Sequence, residues 1–315
     1  MKKILTVLMM ICTIFAVQAK DISGNQDLKK EQRFLEGFEQ INVNANFNVN
    51  LVYAISPKVE VEAESNLLQY IVTEVKGKTL NINIQKKIRL ANNFPITIYV
   101  AMPAISKLQY TGDGNITVDG IPSEKMEILL TGKGECNWSN LKTGSWKITA
   151  NKSFALNFTD MLCGSTKMVL NDNCSANFQK VQMEKLDLQY NTVVNSQFVG
   201  VQVESLTIHG NAAGSMSFSG FAGKDINATL TSTGNVTMGG TAKSINVTAS
   251  NAAGFDALNL AAEKAKIVNS GTADVQVSVT SSLDANISST GSVYYKGTPK
   301  IKIANTGTGQ IMNKN

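Results

Sequence analysis

Apolar and polar residues alternate along most of the chain with a period of two. Leu186-Asp-Leu188, Leu206-Thr-Ile208 and Ile226-Asn-Ala228 are examples, and segments of this kind are separated by Gly, Asn or Ser. Strict alternation is typical of β-strands with one buried face, and no stretch has a convincing helical period. The pattern therefore predicts an all-β protein built from many short strands and tight turns.

The alternating segments recur at a fixed interval from about Leu108 onward. In one column every step is twenty residues: Val118, Trp138, Phe158, Phe178, Phe198, Phe218, Met238 and Leu258. A second column keeps the step of twenty, then slips by one residue and finally shortens to eighteen: Leu108, Ile128, Ile148, Met168, Leu188, Ile208, Ala228, Val247, Ile267, Ala285 and Ile303. Self-similarity at a fixed period is the signature of a repeat architecture.

Coils that repeat in register place equivalent residues about 4.8 Å apart, which is the spacing of hydrogen-bonded parallel strands. We therefore expect an all-β, single-stranded parallel β-helix, a right-handed solenoid with coils of about 20 residues. A propeller blade needs about forty residues, and leucine-rich repeats have a different leucine spacing. A β-sandwich does not keep one period over so many rows.

Two of the columns predict how the solenoid is filled. We expect an aromatic core stack of Trp138, Phe158, Phe178, Phe198 and Phe218, in which each side chain buries its ring against the next coil. A polar column predicts an internal ladder of side-chain hydrogen bonds formed by Asn151, Asn171, Asn191, Asn211 and Asn251. Both sets are structural rather than chemical candidates.

The first residues have the pattern of a secretory signal peptide. Met1-Lys-Lys precedes an apolar run from Ile4 to Val17, and Val17-Gln-Ala19 supplies the small residues of a cleavage site before Lys20. Cys12 does not fit a lipidation site, because Ile11 precedes it and the apolar run continues past it. We expect an exported protein of the periplasm, the outer-membrane surface or the extracellular medium, with no transmembrane segment after removal of the signal.

The predicted organisation of the chain follows the repeat. Residues 1–19 form the signal peptide and residues 20–37, which are polar and charged, a flexible lead-in. Residues 38–107 alternate but do not obey the period, so we expect irregular N-terminal coils and a cap there. Residues 108–312 form the regular coils and make one continuous domain with 38–107.

Charge and cysteine content narrow the range of partners. The net charge of +5 falls by two when the leader with Lys2 and Lys3 is removed, so we expect no nucleic-acid partner. Export places Cys136, Cys163 and Cys174 where disulfides are allowed, but their number is odd. Their different positions within the coil argue against pairing.

The sequence does not supply a set of catalytic residues. His209 is the single histidine, and it follows the inward-facing Ile208, so we expect it on the surface. Arginine occurs only at Arg33 and Arg89, and the aspartates of the repeat lie singly at different coil positions. Zinc needs three or four His or Cys ligands at matching positions. We predict no catalytic, cofactor-binding or metal-binding residues and no cofactor.

Several segments resemble the head GIN domain family of auto-transporter adhesins. They are residues 38–51, 59–68 and 77–84, the closing motif Gly291-Ser-Val-Tyr-Tyr-Lys-Gly-Thr-Pro299 and the Thr-Gly-Thr-Gly of residues 306–309. The resemblance extends over roughly residues 38–312 and departs from the family pattern between 150 and 200. It implies an exported β-helical protein of Bacteroidetes-like bacteria at the cell surface, and it carries no catalytic residues over.

We therefore expect a non-enzymatic adhesin-like binding or structural protein of the cell envelope or cell surface. Its ligand would be an unknown glycan or protein of a surface, and a homo-oligomer is left open. One alternative is a polysaccharide-processing lyase or hydrolase of the same fold, because many β-helices cleave acidic polysaccharides. Another is an envelope scaffold that polymerises end to end.

Overall fold

The structure is a computed structural model that describes residues 19–191, 194–211 and 213–315. Strands make up 72% of the protein. A single turn of 3-10 helix spans Leu68–Tyr70. The predicted signal peptide, residues 1–19, falls outside the described residues except for Ala19, and so does Cys12.

The strands are numbered along the chain. Their bounds are β1 Lys20–Ser23, β2 Leu28–Arg33, β3 Gln40–Asn44, β4 Asn48–Tyr53, β5 Lys58–Glu64, β6 Ile71–Lys76, β7 Thr79–Ile84, β8 Ile88–Ala91, β9 Thr97–Met102, β10 Lys107–Asp113, β11 Ile116–Asp119, β12 Ser123–Ser139, β13 Lys142–Leu170, β14 Ser175–Tyr190, β15 Val194–Val199, β16 Gln202–Gly210, β17 Gly214–Leu230, β18 Asn235–Ala249, β19 Gly254–Asn269, β20 Val275–Ile287, β21 Val293–Lys296, β22 Lys300–Asn305 and β23 Ile311–Asn313.

The chain winds as a parallel β-solenoid of about ten turns with coils of roughly 20 residues, which confirms the predicted fold class. From β10 to β17 each residue pairs with the residue twenty positions further on, as Leu108 does with Ile128 and Phe158 with Phe178. Longer strands such as β13 continue through the bends of the coil. The alternation seen in the sequence therefore corresponds to an inward and an outward side of every ladder.

The coil length changes where the sequence pattern slips. Ala228 pairs with Val247, a step of nineteen, and Ala285 pairs with Ile303, a step of eighteen. One assignment is wrong at this point: Leu258 is only half-buried, and Ala257 is the fully buried residue of its coil. The reason is the register shift between Phe218 and Phe221 in the β17–β18 ladder, which shortens this coil by one residue, so that Thr237 pairs with Asp256, nineteen positions further on.

The N-terminal coils are stacked out of sequence order. Strand β3 lies between β7 and β10, because Ile41 pairs with Leu80 on one side and with Leu108 on the other. In the same way β4 lies between β9 and β11. The chain thus forms one coil, returns to add a coil below it, and then crosses over to start the regular repeat. This arrangement explains why residues 38–107 do not follow the period of twenty.

Antiparallel strands cover the N-terminal end of the solenoid. Strand β6 pairs with β7, β5 pairs with β9, and β2 pairs with β5, all antiparallel. The β2 strand, Leu-Lys-Lys-Glu-Gln-Arg, is charged along most of its length. Charged side chains on an edge strand discourage pairing with another chain, so β2 has the properties of a cap.

Residues 20–37, expected to be a flexible lead-in, contain two paired strands instead. Besides the β2–β5 pairing, β1 forms a parallel pair with β8, where Arg89 holds Asp21 through two hydrogen bonds of 2.7 and 2.8 Å. Glu64, which is 1% exposed, accepts hydrogen bonds from the backbone of Gln26 at 2.7 Å and of Asn93 at 2.8 Å. A buried carboxylate needs such donors, and the lead-in supplies one of them. The other domain boundaries stay predictions.

Candidate functional site

The predicted aromatic stack lies in the core and positions the sheet above it. Its side chains are between 1% and 3% exposed. Successive ring centroids are 6.5 Å apart from Trp138 to Phe158, 4.6 Å from Phe158 to Phe178, 5.0 Å from Phe178 to Phe198 and 4.2 Å from Phe198 to Phe218. The rigid stack fixes the outward residues that alternate with these rings.

The asparagine column lies at a corner of the coil that is half-buried or exposed rather than inside it. Side-chain amides donate to the preceding coil at 2.8 Å from Asn171 to Asn151, 2.7 Å from Asn191 to Asn171 and 3.4 Å from Asn211 to Asn191. Asn251 departs from this ladder, because its amide donates to the backbone oxygen of Thr231 at 2.6 Å. The one-residue shift in coil length accounts for the change.

The three cysteines of the described chain are unpaired and buried. The Trp138 indole N–H donates to the sulfur of Cys136 at 3.0 Å, and the backbone N–H of Phe154 donates to that of Cys174 at 3.4 Å. Burial raises the pKa of the Cys136 thiol far above its usual range, and burial likewise raises the pKa of Cys174. A protonated, inaccessible thiol is a poor nucleophile, so these residues serve the core.

Titratable side chains contact one another at separate places on the described surface; at one of them the Tyr99 hydroxyl donates to Glu62 at 2.6 Å and Lys30 lies over the Tyr99 ring. His209 is exposed and lies on β16, between Gln189 and Thr229 of the neighbouring coils. Within residues 19–191, 194–211 and 213–315, no three His, Cys, Asp or Glu side chains are grouped so as to hold a metal ion.

One sheet of the solenoid carries a continuous surface without charged side chains. We define the neutral face as the outward side chains of residues 155–159, 175–179, 195–199, 215–219 and 235–237. They are asparagine, glutamine, serine and threonine, with one alanine and one valine. At about 4.8 Å per coil, the five coils extend for roughly 20 Å along the axis.

Hydrogen bonds between coils order the polar groups of the neutral face. Asn157 donates to Asn137 at 2.8 Å, and Asn177 donates to Asn157 at 2.9 Å. Ser215 donates its hydroxyl to the Asn195 side chain at 3.0 Å. Each asparagine amide has two N–H groups and the ladder uses one, so donors remain for a ligand.

A shallow depression of about 350 Å³ lies within the neutral face. Its rim carries Asn157, Asn177 and Gln197, and the buried rings of Phe158 and Phe178 lie beneath it. Val199, at 46% exposed, provides apolar surface at one side. The depression therefore combines amide groups with a small apolar patch on a rigid floor.

The adjacent sheet differs sharply in charge. Its outward column contains ion pairs between coils: Lys107 and Lys147 lie 3.3 and 3.6 Å from the Glu127 carboxylate, and Lys167 lies 3.9 Å from Asp187. A corner containing Gly132 separates this charged face from the neutral one. Charged residues also lie at the two ends of the neutral face, with Glu135 in the coil before it and Asp256 in the coil after it.

A second surface feature lies nearer the N-terminus. A groove of about 800 Å³ crosses several coils and is lined by residues 104–106, 122–125 and 142–144 together with Glu39. Its lining mixes apolar residues with charges of both signs, and Lys78 contacts Glu39 at 3.0 Å. The hydroxyl of Ser123 is buried beside it without a hydrogen-bond partner among the described residues. The groove has room for a small molecule, whereas the neutral face has room for a polymer.

Two overlapping parts of the chain, residues 37–198 and 164–299, match the family described as "Putative auto-transporter adhesin, head GIN domain". The chain belongs to this family. Together the matches extend over most of the sequence, and they confirm the resemblance predicted from its opening and closing motifs. No curated protein matches the chain.

The chain is similar to several solved structures. A putative adhesin from Parabacteroides distasonis ATCC 8503 is 18% identical, with a TM-score of 0.44, and the match covers 93% of this chain and 100% of that one. A putative adhesin from Bacteroides fragilis NCTC 9343 is 18% identical, with a TM-score of 0.33 and coverage of 93% and 99%. A putative lipid binding protein from Parabacteroides distasonis ATCC 8503 is 21% identical, with a TM-score of 0.34 and coverage of 94% and 100%.

The part of the chain that the structure describes contains no apolar helix of membrane-spanning length. The column through Asn157, Asn177 and Gln197 has the same period of twenty as the predicted aromatic stack, but its residues are not among those predicted from the sequence. The signal for the neutral face was therefore present in the sequence and was missed.

Proposed function

We propose that the protein is exported to the cell envelope or cell surface and acts there as a non-enzymatic, adhesin-like binding protein. Membership in the head GIN domain family supports a surface role, since that family is described as auto-transporter adhesins. The observation that carries the proposal is the arrangement of outward side chains in repeated columns, with each type of group spread over several coils. Solenoids recognise partners by extended contact with such surfaces.

The enzyme alternative needs a different arrangement. Glycoside hydrolysis requires two carboxyl groups within about 5 to 9.5 Å of each other across the bound sugar. A carboxylate at the neutral face would serve this purpose, but its outward residues are uncharged. The carboxylates Glu127 and Asp187 of the adjacent sheet are engaged by lysines.

The scaffold alternative needs complementary ends. The N-terminal edge strand β2 carries Lys29, Lys30 and Arg33 with a single acid, Glu31. The C-terminal edge strand β22 carries Lys300 and Lys302. Two basic edges repel each other, so the charge pattern disfavours end-to-end assembly.

A cell-binding assay tests the proposal. The labelled chain from residue 20 to 315 is incubated with bacterial and host cells, and fractionation of the producing cells shows where the native protein resides. We expect saturable binding to a cell surface and an exported native protein. Absence of surface binding, or retention of the protein in the cytoplasm, would overturn the proposal.

His209→Ala separates the binding protein from the enzyme. The variant removes the single imidazole, the side chain that most often serves as a general acid or base. A protein that binds by extended contact keeps its affinity within about twofold. Cleavage of a polysaccharide by the wild type, abolished in His209→Ala or by replacement of one Asp, would establish the enzyme instead.

A further inference from the structure

The neutral face lacks the ion pairs that the adjacent sheet carries in its earlier coils. Charged residues make up 17% of the chain. In the equivalent column of the adjacent sheet Glu127 lies between Lys107 and Lys147, and the later coils carry uncharged Thr207, Asn227 and Asn246 there. Lys and Glu are the usual residues at exposed positions. Over residues 155–159 to 235–237 the outward positions hold neither Lys nor Glu, so the neutral face itself offers no ionic contact to a charged polymer. Charged residues lie at its borders, with Glu135 and Asp256 in the coils before and after it and Asp160 and Lys180 at the corner that follows two of its strands.

The groups that replace the charges have a common chemistry. Asparagine and glutamine amides, like serine and threonine hydroxyls, both donate and accept hydrogen bonds. Gln197 and Ser217 face outward on neighbouring coils, next to the ordered amides of Asn157 and Asn177. Sugar hydroxyl groups also both donate and accept hydrogen bonds, so they are complementary to the amides and hydroxyls of this surface.

The geometry favours a long, flat ligand. The neutral face repeats its groups every coil over roughly 20 Å, which lets one polymer make the same contact several times. The stacked rings of Phe158, Phe178 and Phe198 hold the sheet rigid beneath it, so little conformational entropy is lost on binding. Exposed apolar area is limited to Val199 and small methyl groups, which is less than the apolar centre of a protein interface.

We propose that the neutral face binds a chain of an uncharged, hydroxyl-rich polysaccharide. This inference rests on the proposed function as a surface-binding protein and names its ligand class and its site. Binding proceeds through repeated amide and hydroxyl contacts and without ionic contacts. It is therefore insensitive to salt, because screening acts on charges.

The test compares neutral and anionic polysaccharides on the chain from residue 20 to 315. Dextran, yeast mannan and amylose represent the neutral class, and polygalacturonate and alginate the anionic class. Affinity is measured by affinity electrophoresis and calorimetry at about 50 and 500 mM NaCl. We expect binding to at least one neutral polymer, with a Kd that changes less than twofold between the two salt concentrations.

Paired variants locate the site. Gln197 and Ser217 are exposed, outward-facing partners on adjacent coils, so the double variant Gln197→Glu/Ser217→Glu places two carboxylates on the neutral face. The matched control is Thr229→Glu/Thr248→Glu, an exposed pair of the same kind on the adjacent sheet. We expect the first variant to lose at least tenfold in affinity and the control to lose less than twofold. Circular dichroism confirms that both variants fold.

The other outcomes are distinguishable. Equal affinities of the two variants would show that the polymer binds elsewhere, and salt-sensitive binding to the anionic polymers alone would contradict the neutral ligand class. Either result overturns this inference while the cell-binding assay still supports a surface-binding protein. Binding to a surface protein but to no polysaccharide also overturns it. Failure of the cell-binding assay itself overturns the proposed function.

Discussion

Phe198 and Phe218 lie face to face in the core, with ring centroids 4.2 Å apart and planes 8° from parallel. Aromatic pairs free to choose prefer offset or edge-on arrangements. Here the backbone register imposes the face-to-face arrangement, because the two residues are directly opposite each other in a parallel ladder. The stack is thus a consequence of the coil register, and it makes the core sensitive to the loss of one ring.

Phe178→Ala should destabilise the protein by about 3 to 5 kcal/mol. Phe178 packs between Phe158 and Phe198. The parallel strands fix the positions of these two neighbouring rings, so they cannot move to fill the cavity that the truncation leaves. Lys167→Ala should change the free energy of unfolding by less than about 0.5 kcal/mol, because its ion pair with Asp187 is exposed and long at 3.9 Å. Equilibrium unfolding in urea measures both. Similar small effects at the two positions would show that the stack contributes little.

The repeat region could be predicted closely because one period governs both the sequence and the register. The N-terminal region could not, since Ile41 contacts Leu80 and Leu108 at unequal separations along the chain. The order of residues 20–37 depends on tertiary hydrogen bonds to Glu64, which composition does not reveal. The neutral face was missed although its column was visible.

A second prediction concerns a corner at which successive coils share a left-handed backbone. The residues there have φ between 52° and 68°: Gly120, Asn140, Asp160, Lys180, Gly200 and Gly220. This conformation strains a lysine by about 1 kcal/mol but not a glycine. Lys180→Gly should therefore raise the free energy of unfolding by about 0.5 to 1 kcal/mol.

Gly200→Ala is the matched control. A Cβ added at Gly200 meets no atom within 4 Å, so only backbone strain changes. We expect this variant to lose about 1 kcal/mol in the same urea titration. A Lys180→Gly variant less stable than the wild type would show that the lysine makes compensating contacts at the corner.

A third prediction concerns Glu64 and the order of the N-terminal segment. Burial raises the pKa of this carboxyl, but hydrogen bonds from Asn93 and Gln26 outweigh burial and hold the pKa below its usual value of 4.5. A depressed pKa stabilises the folded state above that value, and the stabilisation is lost as the pH falls below it. Hydrogen-exchange protection at Gln26 should therefore decrease on acidification below about pH 4.5.

Glu64→Gln should remove both the protection at Gln26 and its acid dependence, because a neutral amide is a weaker acceptor and cannot titrate. Glu60→Gln is the control on the same strand, since the half-buried Glu60 pairs with Lys58 at 3.0 Å rather than with the backbone of Gln26. Exchange is followed by NMR or mass spectrometry at several pH values. Unchanged protection in Glu64→Gln would mean that the β2–β5 pairing alone orders the segment.

The last prediction concerns the open C-terminal edge. Ile301 and Ile303 occupy columns that are buried from Met126 and Ile128 to Leu283 and Ala285, and in β22, which pairs with β20 alone among the described strands, they are 39% and 55% exposed. An edge strand with exposed apolar residues promotes association, and lysines on such a strand oppose it. Replacing Lys300 and Lys302 by threonine should therefore cause self-association at concentrations where the wild type is monomeric.

The control variant Lys264→Thr/Lys266→Thr removes two lysines from the same columns two coils earlier, inside the sheet, and should stay monomeric. Analytical ultracentrifugation over a concentration series measures both variants. Concentration-dependent polymers of the wild type itself would show that the lysines do not protect the edge, and would support the scaffold alternative.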